Sequence, residues 1–361
     1  MPASTIAHVA PSRFAIEPAR PEHDAELRAL LCGTPMGESI QVAFLREPSF
    51  FLTSDIQGAF VQTFVGLLDG RVIGTGTRAV RPTWVNGQRC DAGYLADLRL
   101  WREYRGGTYV ARAYRFLREL HADGRASVYS TVVVDDNRGA LETIAANRAG
   151  LPRYTPLGRV LTPVIYLRRS LPVIQGDIVR GCVEMLPDIV AKLNENRLQF
   201  APAWTDDDFT SGRLHGFRVE DFYILRRKGR IAGVLAKWDQ RSFRQTIVLR
   251  YQGWLGRLRP LINLFRRPPL PRPGVPLPFF YVAFLSTDDV EAFAMLLRHV
   301  YREHAGGAFT HCIVGLHEHD PRVQVIKDYD RTPFAGRLFA VTFDEPPELD
   351  GQVPYVEAAL L

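Results

Sequence analysis

Residues 94–117 read YLADLRLWREYRGGTYVARAYRFL. Tyr94–Leu100 has the alternation of a strand, Trp101–Tyr109 is a polar turn, and a helix is expected to begin near Val110. Arg105, Gly106, Gly107 and Thr108 stand where that helix opens. A helix N-terminus presents unpaired N–H groups and the positive end of the macrodipole, which suits a phosphate or pyrophosphate. Glycine lets the backbone come close to such an anion, and arginine adds a permanent planar cation. The plainer reading is a strand–helix connection that turns on glycine.

Upstream, residues 1–12 form a loose tail and Phe14–Glu17 a short strand. The run PEHDAELRALLCG (residues 21–33) is a helix, with acids in its first turn and Leu27, Leu30 and Leu31 on one face. A second helix is expected over Ser39–Arg46. Phe60–Leu68 and Arg71–Val80 flank Asp69-Gly70 as a hairpin, and Asn86-Gly87 signals another leading into the strand at Tyr94. Downstream come a β-rich run at Ser127–Val134, a helix opening at Asn137 and stopping at Gly150, and a closing strand over Leu157–Leu167. The organisation is α/β, or α+β by a stricter definition, with a mixed and largely antiparallel sheet flanked by helices.

The turn at Arg105, its strand–helix frame, and Asn137-x-x-Ala140 at the start of the next helix resemble the acyl-CoA-binding motifs of the GNAT superfamily of N-acyltransferases. The resemblance spans roughly residues 13–168. It implies transfer of an acyl group, acetyl by default, from acyl-CoA to an amine. It also implies that main-chain groups of Leu98 and Leu100 hold the pantetheine arm, that Arg105, Gly106, Gly107, Thr108 and Tyr109 take the pyrophosphate, and that Asn137 steadies the arm. As a capping residue type, Asn137 has a simpler role open to it. The family's usual tyrosine in the last helix falls near Ile144 here. For the base and acid that the chemistry requires, Asp97 is the nearest carboxylate and Tyr154 the replacement phenol, with Tyr109 a further choice. Packing or surface roles for each remain open.

The second half repeats the theme: a helix over Gly176–Asn196 broken near Pro187, a hairpin at Lys228-Gly229, a strand at Phe279–Leu285, a helix at Val290–His304, a strand at Phe309–Leu316, a helix at Pro321–Tyr329, and a last strand at Gly336–Phe343. This divides the chain into a GNAT-like catalytic domain at residues 13–170 and a second GNAT-like domain at 171–361. The second carries Ser286-Thr287-Asp288-Asp289 where the first has Arg-Gly-Gly-Thr, and acids there would repel a pyrophosphate. An insertion over residues 250–278 has six arginines, many prolines and no acid. It reads either as a packed loop or as an interfacial segment that meets anionic lipid or covers a lipidic substrate.

The 361 residues, 46% hydrophobic and 23% charged, suffice for two domains. A net charge of +6 admits an anionic ligand, but no basic–aromatic tract points to nucleic acid. Cys32, Cys90, Cys182 and Cys312 are scattered and are expected to be reduced, buried thiols of a cytoplasmic protein. His317–Asp320 (HEHD) lacks metal-ligand spacing, and no metal is expected. Besides the acyltransferase, two readings stay open: an inactive CoA-binding relative, and a long-chain acyltransferase working at a membrane surface. The amine acceptor and the oligomeric state are not legible.

Overall fold

The computed structural model describes residues 13–37, 39–145, 151–168, 171–265, 269–345 and 347–361. The expected tail at 1–12, the stop at Gly150 and the side chain of Ile144 lie outside them. All three hairpins turn where their dipeptides require: Asp69-Gly70 (φ 50° and 81°), Asn86-Gly87 (52° and 71°) and Lys228-Gly229 (51° and 78°). Both positions have positive φ, so each turn has the hand that matches strand twist.

The first sheet runs in the order Phe14–Pro18, Phe60–Leu68, Arg71–Val85, Gln88–Leu100, Tyr129–Val134, Ala335–Thr342, Arg153–Leu161, Leu316–His317. The second runs Asp177–Arg180, Phe222–Arg227, Arg230–Trp238, Phe279–Thr287, His311–Val314, Val164–Tyr166, Arg331–Thr332. The two orders match position for position until a reciprocal exchange. The chain's last strand, Ala335–Thr342, completes the first sheet, and Val164–Tyr166 crosses to complete the second. The expected strand at Leu157–Leu167 is therefore two strands in different sheets. Thr162-Pro163 separates them; proline supplies no ladder donor and restricts the residue before it.

Helix Tyr109–His121 lays Tyr114 and Leu117 on Phe64, Val80, Leu95 and Phe339, while Asp24–Gly33 covers the opposite face with Leu27, Leu30 and Leu31 on Val65 and Val72. In the second half, period-two alternation sends Tyr223 and Leu225 under helix Val290–His304, and Phe222 and Ile224 under helix Leu186–Asn194.

Two expected helices are corrected. Ser39–Arg46 contains the strand Ile40–Leu45, paired with Gln245–Tyr251 from the other half of the chain; the helix is Phe51–Gln57. Its run IQVAFL is rich in β-branched and aromatic residues. Gly176–Asn196 holds a strand at Asp177–Arg180, and Pro187 lies in the first turn of helix Leu186–Asn194, where its missing N–H costs nothing. Nor are all the thiols buried: Cys312 is, while Cys90 is exposed.

His311 is buried in the second half, its ring stacked on Phe279 at 5.0 Å. Burial pulls its pKa from 6.5 to about 4. The unfolded chain takes up that proton first, so stability falls as pH drops from 6.5 through about 4, by roughly 3 kcal/mol at the limit. Urea titrations across this range should show the loss in wild type and a flatter profile in His311→Phe; equal slopes would remove His311 as its source.

Candidate functional site

Strand Gln88–Leu100 is paired along its length with Arg71–Val85, but its parallel pairing with Tyr129–Val134 covers only Gly93↔Tyr129 and Tyr94↔Ser130. Beyond that point, among the described residues, one edge of the strand carries no ladder, only a bond from the Thr131 hydroxyl to the Leu95 carbonyl at 2.8 Å. Gly93 is required where the split begins, because a Cβ there would lie 1.9 Å from the Tyr129 ring. Within the unpaired stretch the register with Arg71–Val85 slips, and Asp97 adopts φ 56°. Such a bulge turns main-chain groups away from the ladder.

The bulge is braced from the side. Nη2 of Arg46 lies 2.7 Å from both carboxylate oxygens of Asp97, with the two side chains only 6% and 12% exposed. The guanidinium also sits over the Phe50 ring at 4.5 Å. Beyond the bulge, Leu98 is 47% exposed. Arg99 is held below its usual pKa by burial, partly offset by Asp97. Next comes a short 3-10 turn at Arg102–Tyr104 and then Gly106 at φ 86°, with open space where a Cβ would stand, so that an approaching group meets bare backbone. Arg105 is exposed and donates from Nε to the Leu100 carbonyl at 3.3 Å. Helix Tyr109–His121 opens with Thr108 at its N-cap, whose side chain makes no capping bond.

Asn137 Oδ1 accepts from the Ala140 N–H at 3.3 Å, so it caps helix Arg138–Ala145. Tyr154 is in the core under helix Tyr109–His121, its hydroxyl 2.5 Å from that of Tyr114, and burial, followed by the Tyr114 neighbour, raises its pKa well above 10. Asp97 is instead held by Arg46 beside Phe50, which belongs to the core on the sheet's other face. The structure thus brings Leu98, Leu100, Arg105, Gly106, Gly107, Thr108 and Tyr109 into one continuous path but does not bring Asp97 and Tyr154 together. Tyr109 packs on Phe14 at 4.8 Å. His317 Nε2 is 2.7 Å from the Leu157 carbonyl and Asp320 pairs with Arg322, so these two HEHD side chains are engaged within the fold.

The second half has the same bulge in a different state. Strand Phe279–Thr287 slips register against Arg230–Trp238, and Phe284 takes φ 53°. Here the chain's own C-terminal segment fills the place. Glu357 Oε2 accepts from the Phe284 N–H at 2.7 Å and from the Tyr355 hydroxyl at 2.8 Å, while the Leu285 N–H donates to the Tyr355 oxygen at 3.2 Å. The following helix is self-capped, Asp289 accepting from the Ala292 N–H at 2.6 Å.

Between the halves, the first half presents helix Phe51–Gln57, whose terminal carbonyls Ile56 and Gln57 accept from Arg81. Burial pulls Arg81 down to about 10, still cationic at neutral pH. Among the described residues, the Thr53 hydroxyl, both amide atoms of Gln57, and Nη1 of Arg46 and Arg81 are buried without a hydrogen-bond partner. Sequence reasoning missed Arg46, Gln57, Arg81, Tyr355 and Glu357, since each acts through contacts distant along the chain.

No family model matches the sequence, and no curated protein matches it. Solved structures do resemble the fold. Saccharomyces cerevisiae N-myristoyltransferase with bound myristoyl-CoA superposes with TM-score 0.60 at 9% identity, covering 95% of this chain and 82% of that one. The chain has a tandem GNAT fold. A GCN5-related N-acetyltransferase from Kribbella flavida gives TM-score 0.51 at 11% identity, with 91% and 71% coverage. A GCN5-related glucosamine N-acetyltransferase region of a fungal multi-domain GH3 β-N-acetylglucosaminidase gives 0.62 at 12%, over 92% of this chain and 38% of that one. In this GNAT fold the split strands, the bulge and the Arg105 turn belong to the first half.

Proposed function

We propose that the protein is an acyl-CoA-dependent N-acyltransferase with one working site, in the first half. The observation that carries the reading is the contrast between the two bulges: the one at Asp97 opens onto an unpaired strand edge, whereas the one at Phe284 is closed by Tyr355 and Glu357. The pantetheine arm of acyl-CoA has amide groups that would pair with the open edge at Leu98 and Leu100. Its pyrophosphate would meet the uncapped helix at Thr108 and Tyr109 together with Arg105 and the glycine backbone.

At the bulge, main-chain N–H groups would face the thioester carbonyl and stabilise its developing oxyanion. Asp97 is assigned to bracing the bulge rather than to proton transfer, since Arg46 engages both its oxygens. Tyr154 is assigned to the core with Tyr114. Acetyl is the default acyl group. Among the described residues no helix is long and apolar enough to cross a membrane.

Isothermal titration with acetyl-CoA should give one site per chain, and Arg105→Glu should weaken it about tenfold by reversing a charge at the pyrophosphate. Absence of binding to wild type, or unchanged affinity in the variant, would sink the assignment. Thiol release from acetyl-CoA with a panel of amines then reports turnover.

A further inference from the structure

Helix Gly253–Phe265, in the arginine- and proline-rich insertion, leaves most of its apolar side chains in solvent, unlike a helix of a globular body. Its half-buried side carries Leu255, Arg259, Ile262 and Asn263. Arg259 donates to the Leu270 and Pro271 carbonyls at 3.0 and 3.2 Å, and Asn263 exchanges bonds with Leu270, accepting from its N–H at 2.7 Å. Tyr251, just before the helix, donates to the Pro271 carbonyl at 2.8 Å. These bonds fasten the helix to the segment that follows it, and none of its residues is buried.

Five of its apolar residues face out, while Leu255 and Ile262 are half-buried. Trp254 is 68% exposed, Leu258 44%, Leu261 54% and Phe265 84%. At about 100° per residue their spacing places all four within an arc of roughly 60°. Leu264, 65% exposed, widens the stripe. Isolated exposed apolar side chains are ordinary, but a continuous stripe with an aromatic residue at each end marks an interaction surface.

The segment that carries the stripe has charges of one sign. Arg257 is exposed at the edge of the stripe, Arg250 and Arg272 are exposed in the segments that flank the helix, and no acid occurs anywhere in residues 250–278. Among the described residues no carboxylate forms an ion pair with Arg250, Arg257, Arg259 or Arg272. A two-fold contact between copies would set this cationic surface against itself. An anionic bilayer surface instead offers headgroup charge to the arginines and an acyl boundary to the tryptophan and phenylalanine.

We infer that helix Gly253–Phe265 is a peripheral membrane-docking element that inserts Trp254, Leu258, Leu261 and Phe265 into an anionic leaflet. Docking sits outside the acyl-CoA site and does not depend on that assignment. The helix continues from strand Gln245–Tyr251, whose partner Ile40–Leu45 leads directly into Arg46, so the docked face and the braced bulge share one ribbon.

Sedimentation of the full chain with vesicles of phosphatidylcholine containing about 30% phosphatidylserine tests it. Wild type should pellet at low salt, and binding should fall about tenfold or more with pure phosphatidylcholine. Trp254→Ser/Phe265→Ser and Arg257→Glu/Arg272→Glu should each bind about tenfold more weakly. Thermal unfolding should be unchanged in both, because every altered residue is exposed. Failure of wild type to pellet, equal binding to neutral and anionic vesicles, or undiminished binding by either variant would overturn the inference. So would a wild-type dimer, seen by light scattering and lost in the serine variant, without vesicle binding.

Discussion

Arg78→Met should lower the unfolding free energy by roughly 3–5 kcal/mol, a large part of what a domain usually has. Arg78 is completely buried. Its Nη1 and Nη2 bond the two Asp123 oxygens, both at 2.7 Å; Nη1 also reaches Gln62 Oε1 at 2.6 Å, and Nε reaches the Tyr129 hydroxyl at 3.0 Å. One side chain thereby ties three strands to the end of helix Tyr109–His121. Tyr129 is also the ring against which Gly93 packs where the strands split.

Methionine fills most of the space but leaves Asp123, Gln62 and Tyr129 without their donor. The cost comes mainly from those unmet groups rather than from lost attraction. Arg78→Met/Asp123→Asn should therefore be less destabilised than the sum of the two single variants, by about 1 kcal/mol or more. Urea unfolding followed by circular dichroism measures all three. A single-variant cost below about 1 kcal/mol would mean that the buried network contributes little.

The ion pair also sets an acid limit. Arg78, through its hydrogen bonds, is the leading reason that Asp123 titrates at about 2 rather than 3.8. Its contribution is fully present above 3.8 and is lost as pH falls through about 2. This window lies below the one governed by His311, so the two groups are separable in a pH series.

What could be read from the sequence was local. Asp69-Gly70, Asn86-Gly87 and Lys228-Gly229 announce their turns because only a few residue types accept positive φ at two successive positions. Thr287-Asp288-Asp289 announces a helix start, and Asp289 does cap it. The Arg105 turn was legible for the same reason: strand, glycines and helix are contiguous. The strand exchange was not, because Val164–Tyr166 and Ala335–Thr342 look alike whichever sheet they join. Ile40–Leu45 misled because its partner lies in the other half of the chain. Asp97 stands out in the sequence as the carboxylate nearest the Arg105 turn, but its partner Arg46 does not, and nothing in the spacing of residues 46 and 97 reveals their pairing.

That pairing carries the second large effect. Arg46→Met should reduce kcat/KM about a hundredfold, measured with whichever amine supports wild-type turnover, while acetyl-CoA affinity changes less than about threefold. Methionine can still cover Phe50, but Asp97 would be left as a partly buried carboxylate without its cation. The bulge could relieve this only by moving, since Asp97 holds φ 56° against the ordinary preference of a non-glycine residue. A displacement of about 1 Å at the main-chain N–H groups suffices for such a loss, because they must meet charge that develops only during reaction. The turn proposed for the pyrophosphate begins further along the chain at Arg105 and keeps its own contacts. Binding and chemistry should therefore separate. Arg46→Lys, which restores charge without the planar fork, should recover part of the rate, and Asp97→Asn should cost less than Arg46→Met because asparagine tolerates the left-handed conformation and still accepts from Arg46. Circular dichroism establishes that each variant is folded. If folded Arg46→Met keeps kcat/KM within about threefold of wild type, the bulge is not where the acyl group reacts. If affinity and rate fall together, Arg46 supports the whole cleft rather than the reacting centre.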